Sequence, residues 1–229
     1  MTGFTQYAAS VCVAAVLGLQ GCAPYHAVEF NARLVDADTG QPIEGAIVVA
    51  HWQILGGLEG GNPLGEAMIM ETVTDKIGTI HFPSWSKFSW KLGSIKSARP
   101  ELLIFKDGYK YLRRINESQP TLLDDVLLRS DWNGKTLVLE QFRGTPQEYA
   151  KNVAWLDSLM YFARRGRNCE WKATPRMLVA LHLADTAFES RGIAYPAGII
   201  SKVTDVDDSA GCGPAAKFFE DYLRQGTPK

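Results

Sequence analysis

No tract of lysine or arginine and no excess of either charge marks this chain: 24 basic residues stand against 25 acidic ones, a formal net charge of −1. Without a basic face to displace counterions from phosphates, nucleic acid is excluded as its main partner. Histidine and cysteine are scarce, four of each, so their uses can be weighed one by one. No apolar run is long enough to serve as a membrane-spanning helix, which takes about 20 apolar residues. From Met1 to Gly21 there is no Asp, Glu, Lys or Arg at all. Even the basic residues that normally open a secretory signal are missing there.

What that uncharged start does contain is more telling. Ala8 to Leu19 is built from Ala, Val, Leu, Cys, Ser and Gly, about twelve residues with the character of a signal-peptide core and too short to span a bilayer. Leu19-Gln20-Gly21-Cys22 follows, and it resembles the bacterial lipobox. The resemblance implies that residues 1–21 are a lipoprotein signal peptide. Cys22 would then be diacylated, exposed by cleavage and N-acylated as the first residue of the mature chain. Ala23, in place of Asp, resembles the pattern of outer-membrane delivery, so the expected location is the bacterial cell envelope, lipid-anchored at the outer membrane. Each buried CH₂ contributes about 0.8 kcal/mol, so two or three acyl chains hold where one would only bind reversibly. With Cys12 removed and Cys22 acylated, Cys169 and Cys212 remain, and in an oxidising compartment an isolated pair is most simply a disulfide.

Beyond the anchor the chain alternates. Val28, Phe30, Ala32 and Leu34 are interleaved with polar residues, the period of a strand with one face on a core. Further strands are expected at Gly45 to Gln53, Ala67 to Thr74, Thr79 to Phe82, "ELLIFK" and "YKYLRRI", with "DVLLRSDW" and "KTLVLEQF" joined by an Asn133-Gly134 hairpin. Many short strands with frequent turns point to a sandwich rather than a parallel sheet. Val35-Asp36, Thr39-Gly40, Pro42-Ile43, Gly45-Ala46 and Val48, then Thr74-Asp75, Gly78 and Phe82, then Lys106-Asp107-Gly108-Tyr109, together resemble the carboxypeptidase regulatory-like family, a transthyretin-like β-sandwich. The resemblance covers roughly residues 27–130 and implies a non-catalytic module with no particular ligand.

The last third reads as helical. Thr145-Pro146-Gln147-Glu148 combines an N-cap, a proline at the first helical position and a capping-box glutamate, opening a helix to about Arg165 with Tyr149, Val153, Leu156 and Met160 on one face. Thr174-Pro175 opens a second, carrying Leu178, Leu181, Ala184 and Phe188. Gly213-Pro214 opens a third, with Phe218, Phe219, Tyr222 and Leu223. The expected fold class is α+β: an N-terminal antiparallel β-sandwich of about seven to eight strands over residues 22–142, then a subdomain of about three short helices over 143–229.

Candidate chemistry is sparse. His26 and Glu29 match a His-x-x-Glu zinc motif, but they sit four residues past the lipidated cysteine, with no preceding fold to shape a site. Asp205, Asp207 and Asp208 suggest a calcium loop, yet the glycine at 211 comes one position late and Ala216 stands where the closing glutamate belongs. Cys169 and His182 would form a thiol–base pair only in contact with a third orienting group. His51 and His81 make an incomplete ligand set on strands expected to share a side. Catalytic, metal and cofactor assignments are therefore none. Trp85, Phe88 and Trp90, interleaved with Lys87 and Lys91, form the candidate partner-binding surface, suited to an envelope protein, a glycan or a membrane. The expected function is that of a cell-envelope lipoprotein acting as a non-catalytic binding or structural module, not an enzyme. The alternatives are an accessory lipoprotein of an envelope secretion machine and a small envelope hydrolase with a site between sandwich and helices.

Overall fold

Two apolar runs, Ile47-Val48-Val49-Ala50 and Leu102-Leu103-Ile104-Phe105, decide the architecture. A strand that is apolar at every position must be covered on both faces. The computed structural model, which describes residues 23–56, 62–89, 100–117, 127–165, 168–193, 200–206 and 211–228, places both runs in a central sheet. That sheet has the order β4 (Asn62–Val73), β3 (Ile47–Gly56), β7 (Pro100–Phe105), β8 (Leu112–Arg114), all antiparallel. Val48, Ala50, Trp52, Leu102 and Ile104 face one core; Ile47, Val49, Leu103 and Phe105 face another.

The first core is closed by two three-stranded sheets. One is β6 (Trp85–Ser89), β1 (Ala23–Ala27), β9 (Leu127–Leu128); the other is β10 (Thr136–Leu139), β2 (Phe30–Asp36), β5 (Thr79–Phe82). β1 leads into β2 across Val28 and Glu29, and β5 into β6 across Pro83 and Ser84, so two antiparallel pairings, Ala27 opposite Trp85 and Phe30 opposite Phe82, follow one another along the chain. The mixed α+β class is as expected, but among the described residues the ten strands form three sheets, not a single sandwich. Nor is the pairing wholly antiparallel. β9 and β10 do not form the hairpin expected from Asn133-Gly134: β9 runs parallel to β1 and β10 parallel to β2. The turn is real, with Gly134 at φ 72°, but its bonds go sideways to β2, the Gly134 N–H donating to the Asn31 carbonyl at 2.7 Å and Asn133 Oδ1 accepting from the Asn31 N–H at 3.0 Å.

Turn carboxylates brace this frame. Asp36 is buried and accepts from the Asp38 and Thr39 amides, the Thr39 hydroxyl, the Tyr109 hydroxyl and the Gln141 amide. Those bonds, with Gln141 foremost, hold its carboxyl far below the usual range. Asp107 accepts from the Tyr149 hydroxyl at 2.8 Å, and that same hydroxyl accepts from the Gly108 N–H, fastening the strands to the first helix.

The second core lies under the helices: α1 (Pro146–Leu159), α2 (Tyr161–Arg164), α3 (Pro175–Ser190) and α4 (Ala215–Gln225). The α1 capping box forms as expected, Thr145 Oγ1 accepting from the Glu148 amide and Glu148 Oε2 from the Thr145 amide. Val153, Leu156 and Met160 of the first helical stretch, Leu178, Leu181 and Phe188 of α3 and Phe219 of α4 share one cluster with Ile47, Val49, Leu103 and Phe105. The helical part has no core of its own; it completes the outer face of the central sheet. Trp171, fully buried, meets Phe218 edge-on at 5.0 Å and ties α4 into this layer.

Candidate functional site

The helix-facing side of the central sheet ends in charge. His51 continues the face of Ile47 and Val49, Glu101 that of Leu103 and Phe105, and the two lie opposite each other in the β3–β7 ladder. Glu66 reaches the same face through a bulge. In β4, Ile69 looks toward the helices and Met68 toward the strand core, so Glu66, three positions before Ile69, would ordinarily share the face of Met68. The register shift between Trp52 and Gln53 inserts Ala67 as an extra inward residue and turns Glu66 to the side of His51.

The result is a buried charge row. Glu66 Oε2 lies 3.0 Å from His51 Nδ1, Glu101 Oε2 3.6 Å from Nε2, and Arg113 grips Glu101 through Nε and an outer nitrogen at 2.5 and 3.1 Å. The imidazole stacks on Phe162 of α2, ring centres 3.9 Å apart. Burial works against a charge on His51, but hydrogen bonds to Glu101 and Glu66 outweigh it and hold its pKa above the ordinary 6.5. Burial would likewise raise Glu101; His51 and Arg113 overcome it and bring the carboxyl down to about 2. Both ring nitrogens face a carboxylate, so the histidine offers no lone pair to a substrate or metal, and the row acts as a polar latch between sheet and helices. Among the described residues no three His, Cys, Asp or Glu side chains form a metal-holding group.

A second acid on this face, Glu71, serves the helices directly. Its carboxylate accepts from the backbone N–H groups of Arg176 and Met177 at 2.9 and 3.0 Å, so it caps the N-terminus of α3 from across the fold, where Thr174 makes no side-chain cap. Burial lifts the Glu71 carboxyl to about 7, against the pull of those amides and of the Arg176 charge. An acid that holds its proton more tightly folded than unfolded makes stability fall as pH rises from its ordinary 4.5 through about 7. The raised His51 acts in the same sense, its stabilisation complete below 6.5 and lost as pH climbs through the higher folded value. The melting temperature is therefore expected to fall between about pH 5 and pH 8, with Glu71→Gln flattening the lower part of that slope and His51→Gln the upper. Identical slopes in all three proteins would show that neither group carries the effect.

Next to the charge row opens a cleft of about 740 Å³. Its strand side is made by Tyr25, Ile54, Glu66, Met68, Ile69 and Lys87, and its opposite side by Asn168, Cys169, Glu170 and Lys172. The Lys87 amine reaches across to the Ala67 carbonyl at 2.7 Å, and that of Lys172 to the Cys212 carbonyl at 2.5 Å. Both charges of both signs and apolar side chains thus border one opening. β4 and β6 are the edge strands of their sheets, and both contribute to it.

The residues singled out from sequence are scattered. Cys169 and Cys212 are joined as a disulfide, Cα atoms 5.7 Å apart, which removes Cys169 as a nucleophile for His182. Trp85 is not part of a surface: it is buried and meets Trp52 edge-on at 5.3 Å. Phe88 is exposed and Lys87 lines the cleft, while Trp90, Lys91 and the expected acylation residue Cys22 lie outside the described residues. His26 is exposed and bonded to the Ser86 hydroxyl, and Glu29 is exposed, with no third ligand among the described residues. His51 and His81 do not share a side: the first is buried under α2, the second exposed on β5 and bonded to Asn31. Asp205 closes a 3-10 turn by accepting from the Lys202 amide, whereas Asp207 and Asp208 lie outside the described residues. Sequence reading missed Glu66, Glu71 and Glu101. The alternation that puts His51 with Ile47 and Glu101 with Leu103 was available; the bulge that redirects Glu66 left no local signal.

A buried pair in the helical layer, Asp157 with Arg164, takes further bonds from the Ser201 amide and hydroxyl and gives one to the Lys202 carbonyl. Its oxygens are consumed in tying α1 to residues 200–206. Among the described residues no helix is long and apolar enough to cross a membrane.

No family profile matches the chain. No curated protein matches it. Among solved structures, a 9R-lipoxygenase from Cyanothece PCC8801 aligns at 12% identity over 75% of this chain and 29% of that enzyme, with a TM-score of 0.25. The chain spans under a third of that enzyme's length, and a likeness this weak carries no argument about fold or activity.

Proposed function

We propose that the chain is an outer-membrane lipoprotein of the bacterial envelope whose carboxypeptidase regulatory-like strand module, a sandwich-derived frame extended by a helical layer, acts as a non-catalytic binding unit. The cleft carries this reading. One wall is made of the edge strands β4 and β6, whose outer main-chain groups no ladder uses among the described residues, next to Met68 and Ile69, and lysines and glutamates stand on both sides. Those features suit an extended segment of a partner protein, held by added-strand hydrogen bonds and by alternating side chains. The nearby histidine supports the same view, because its nitrogens are committed to carboxylates and offer no imidazole base at the opening.

Two results would test the proposal. The Cys22→Ala protein is expected to take up no labelled palmitate and to leave the membrane fraction, whereas unchanged detergent partitioning would refute the anchor. A photo-crosslinking residue at Met68, in the cleft, is expected to give a discrete protein adduct in intact cells, with none from the same residue at Trp155, exposed on α1. Equal adducts at both positions, or release of a cleaved product by the purified protein, would overturn the binding role.

A further inference from the structure

We infer that the protein lies directly on the bilayer by the β1–β6 end of its strands, with Phe88 in the boundary between lipid headgroups and acyl chains; this rests on the lipoprotein reading above. A flexible stretch between lipid and fold would let the fold move away from the bilayer. Here the ladder begins with the very next residue: Ala23 is paired with Ser89 and Pro24 with Phe88. Consecutive Cα atoms are about 3.8 Å apart and paired ones about 5 Å, so Ala23, the residue bonded to the expected acylation site, is within about 9 Å of Phe88 through the ladder. A glyceryl thioether with its acyl chains in the membrane therefore holds this end of the ladder beside the bilayer, where Phe88 can reach the headgroup boundary.

The strand cannot peel away to lengthen the tether. Tyr25 and Ala27 of β1 are 2% and 1% exposed in the strand core, and β1 is held between β6 and β9. Phe88 by contrast is 49% exposed. An apolar ring fixed beside a lipid anchor gains by leaving water for the interface, as aromatic residues do at membrane boundaries. Attachment at two points rather than one also fixes orientation. Tyr25 and Lys87, neighbours of Pro24 and Phe88, line the cleft, so its mouth would open beside the membrane surface and meet partners there.

The test uses the full acylated protein in vesicles of phosphatidylethanolamine and phosphatidylglycerol, with a nitroxide on Phe88→Cys and, as a reference, on Trp155→Cys. The Cys169–Cys212 disulfide and the thioether of Cys22 keep the native cysteines from labelling. Collisions with oxygen are expected to exceed those with a water-soluble nickel chelate at position 88, and the reverse at 155. A flexible insert of about ten Gly and Ser residues between Cys22 and Ala23 should return the position 88 label to water. Should Phe88→Cys not fold, Ser86→Cys on the same strand reports in its place. A label at 88 as wet as at 155, or one whose depth ignores the insert, overturns the inference while leaving the anchor intact. Mass spectrometry that finds no acyl groups on Cys22 overturns the lipoprotein reading itself.

Discussion

Alanine at position 78 is expected to remove a large part of the protein's stability. Gly78 sits at φ 73°, where a side chain costs about 1–2 kcal/mol. The larger penalty is collision. A Cβ there would stand 2.3 Å from the Leu34 carbonyl oxygen and 3.2 Å from Pro42 Cβ, and the first of these is backbone that cannot swing aside. The strand cannot retreat either, because the Leu34 N–H donates to the Gly78 carbonyl at 2.7 Å and Ile43 N–H to the Leu34 carbonyl at 3.1 Å. Relieving the clash means giving up one of these bonds in the centre of β2, for a total of about 3–5 kcal/mol, a large part of a domain's stability. Gly134 provides the contrast: its φ is 72°, yet nothing lies within 4 Å of its would-be Cβ, so Gly134→Ala should cost only the conformational part. Urea unfolding of the two variants separates the effects. Equal losses would mean that the close approach to Leu34 does not matter.

Opening the Cys169–Cys212 disulfide is expected to cost nearly as much, but in one place. The bridge closes a separation of 43 residues, about 4 kcal/mol in the chain-entropy description. What it fastens is the wall of the cleft to the start of α4. Lys172 adds its bond to the Cys212 carbonyl, and Trp171 packs against Phe218 and Phe219. α4 otherwise buries few residues, chiefly Ala215 and Phe219. Reduction should therefore raise hydrogen exchange across Ala215–Gln225 and around Asn168–Ala173 well before β3 and β7 respond, and should weaken crosslinking from Met68. Unchanged exchange in α4 after reduction, or alkylation of both cysteines in unreduced protein, would refute the bridge as the holding element.

The local sequence determined the parts of this protein whose information is local. Alternation at Phe30, Ala32 and Leu34 fixed the buried face of β2, the Thr145–Glu148 box fixed the start of α1, and the apolar spacing of α3 and α4 fixed which sides they bury. The cysteine pair was also legible, because the expectation that Cys12 is cut away and Cys22 acylated leaves one partner each to find. Tertiary structure decided where these pieces went. Asn133-Gly134 specified a turn but not a hairpin, since the strand each flank pairs with depends on β1 and β2, roughly a hundred residues away. Thr174-Pro175 marked a helix start, yet the cap came from Glu71, more than a hundred positions earlier. Trp85 turned inward to Trp52 and Trp90 fell outside the described residues, so of the three aromatic residues read as a surface Phe88 alone is found exposed among the described residues. The candidate site was the least legible part. In a strand each residue changes face from its neighbour, so one bulged residue at Ala67 is enough to move Glu66 from the strand core to His51, and only the pairing of β4 with β3 records that residue.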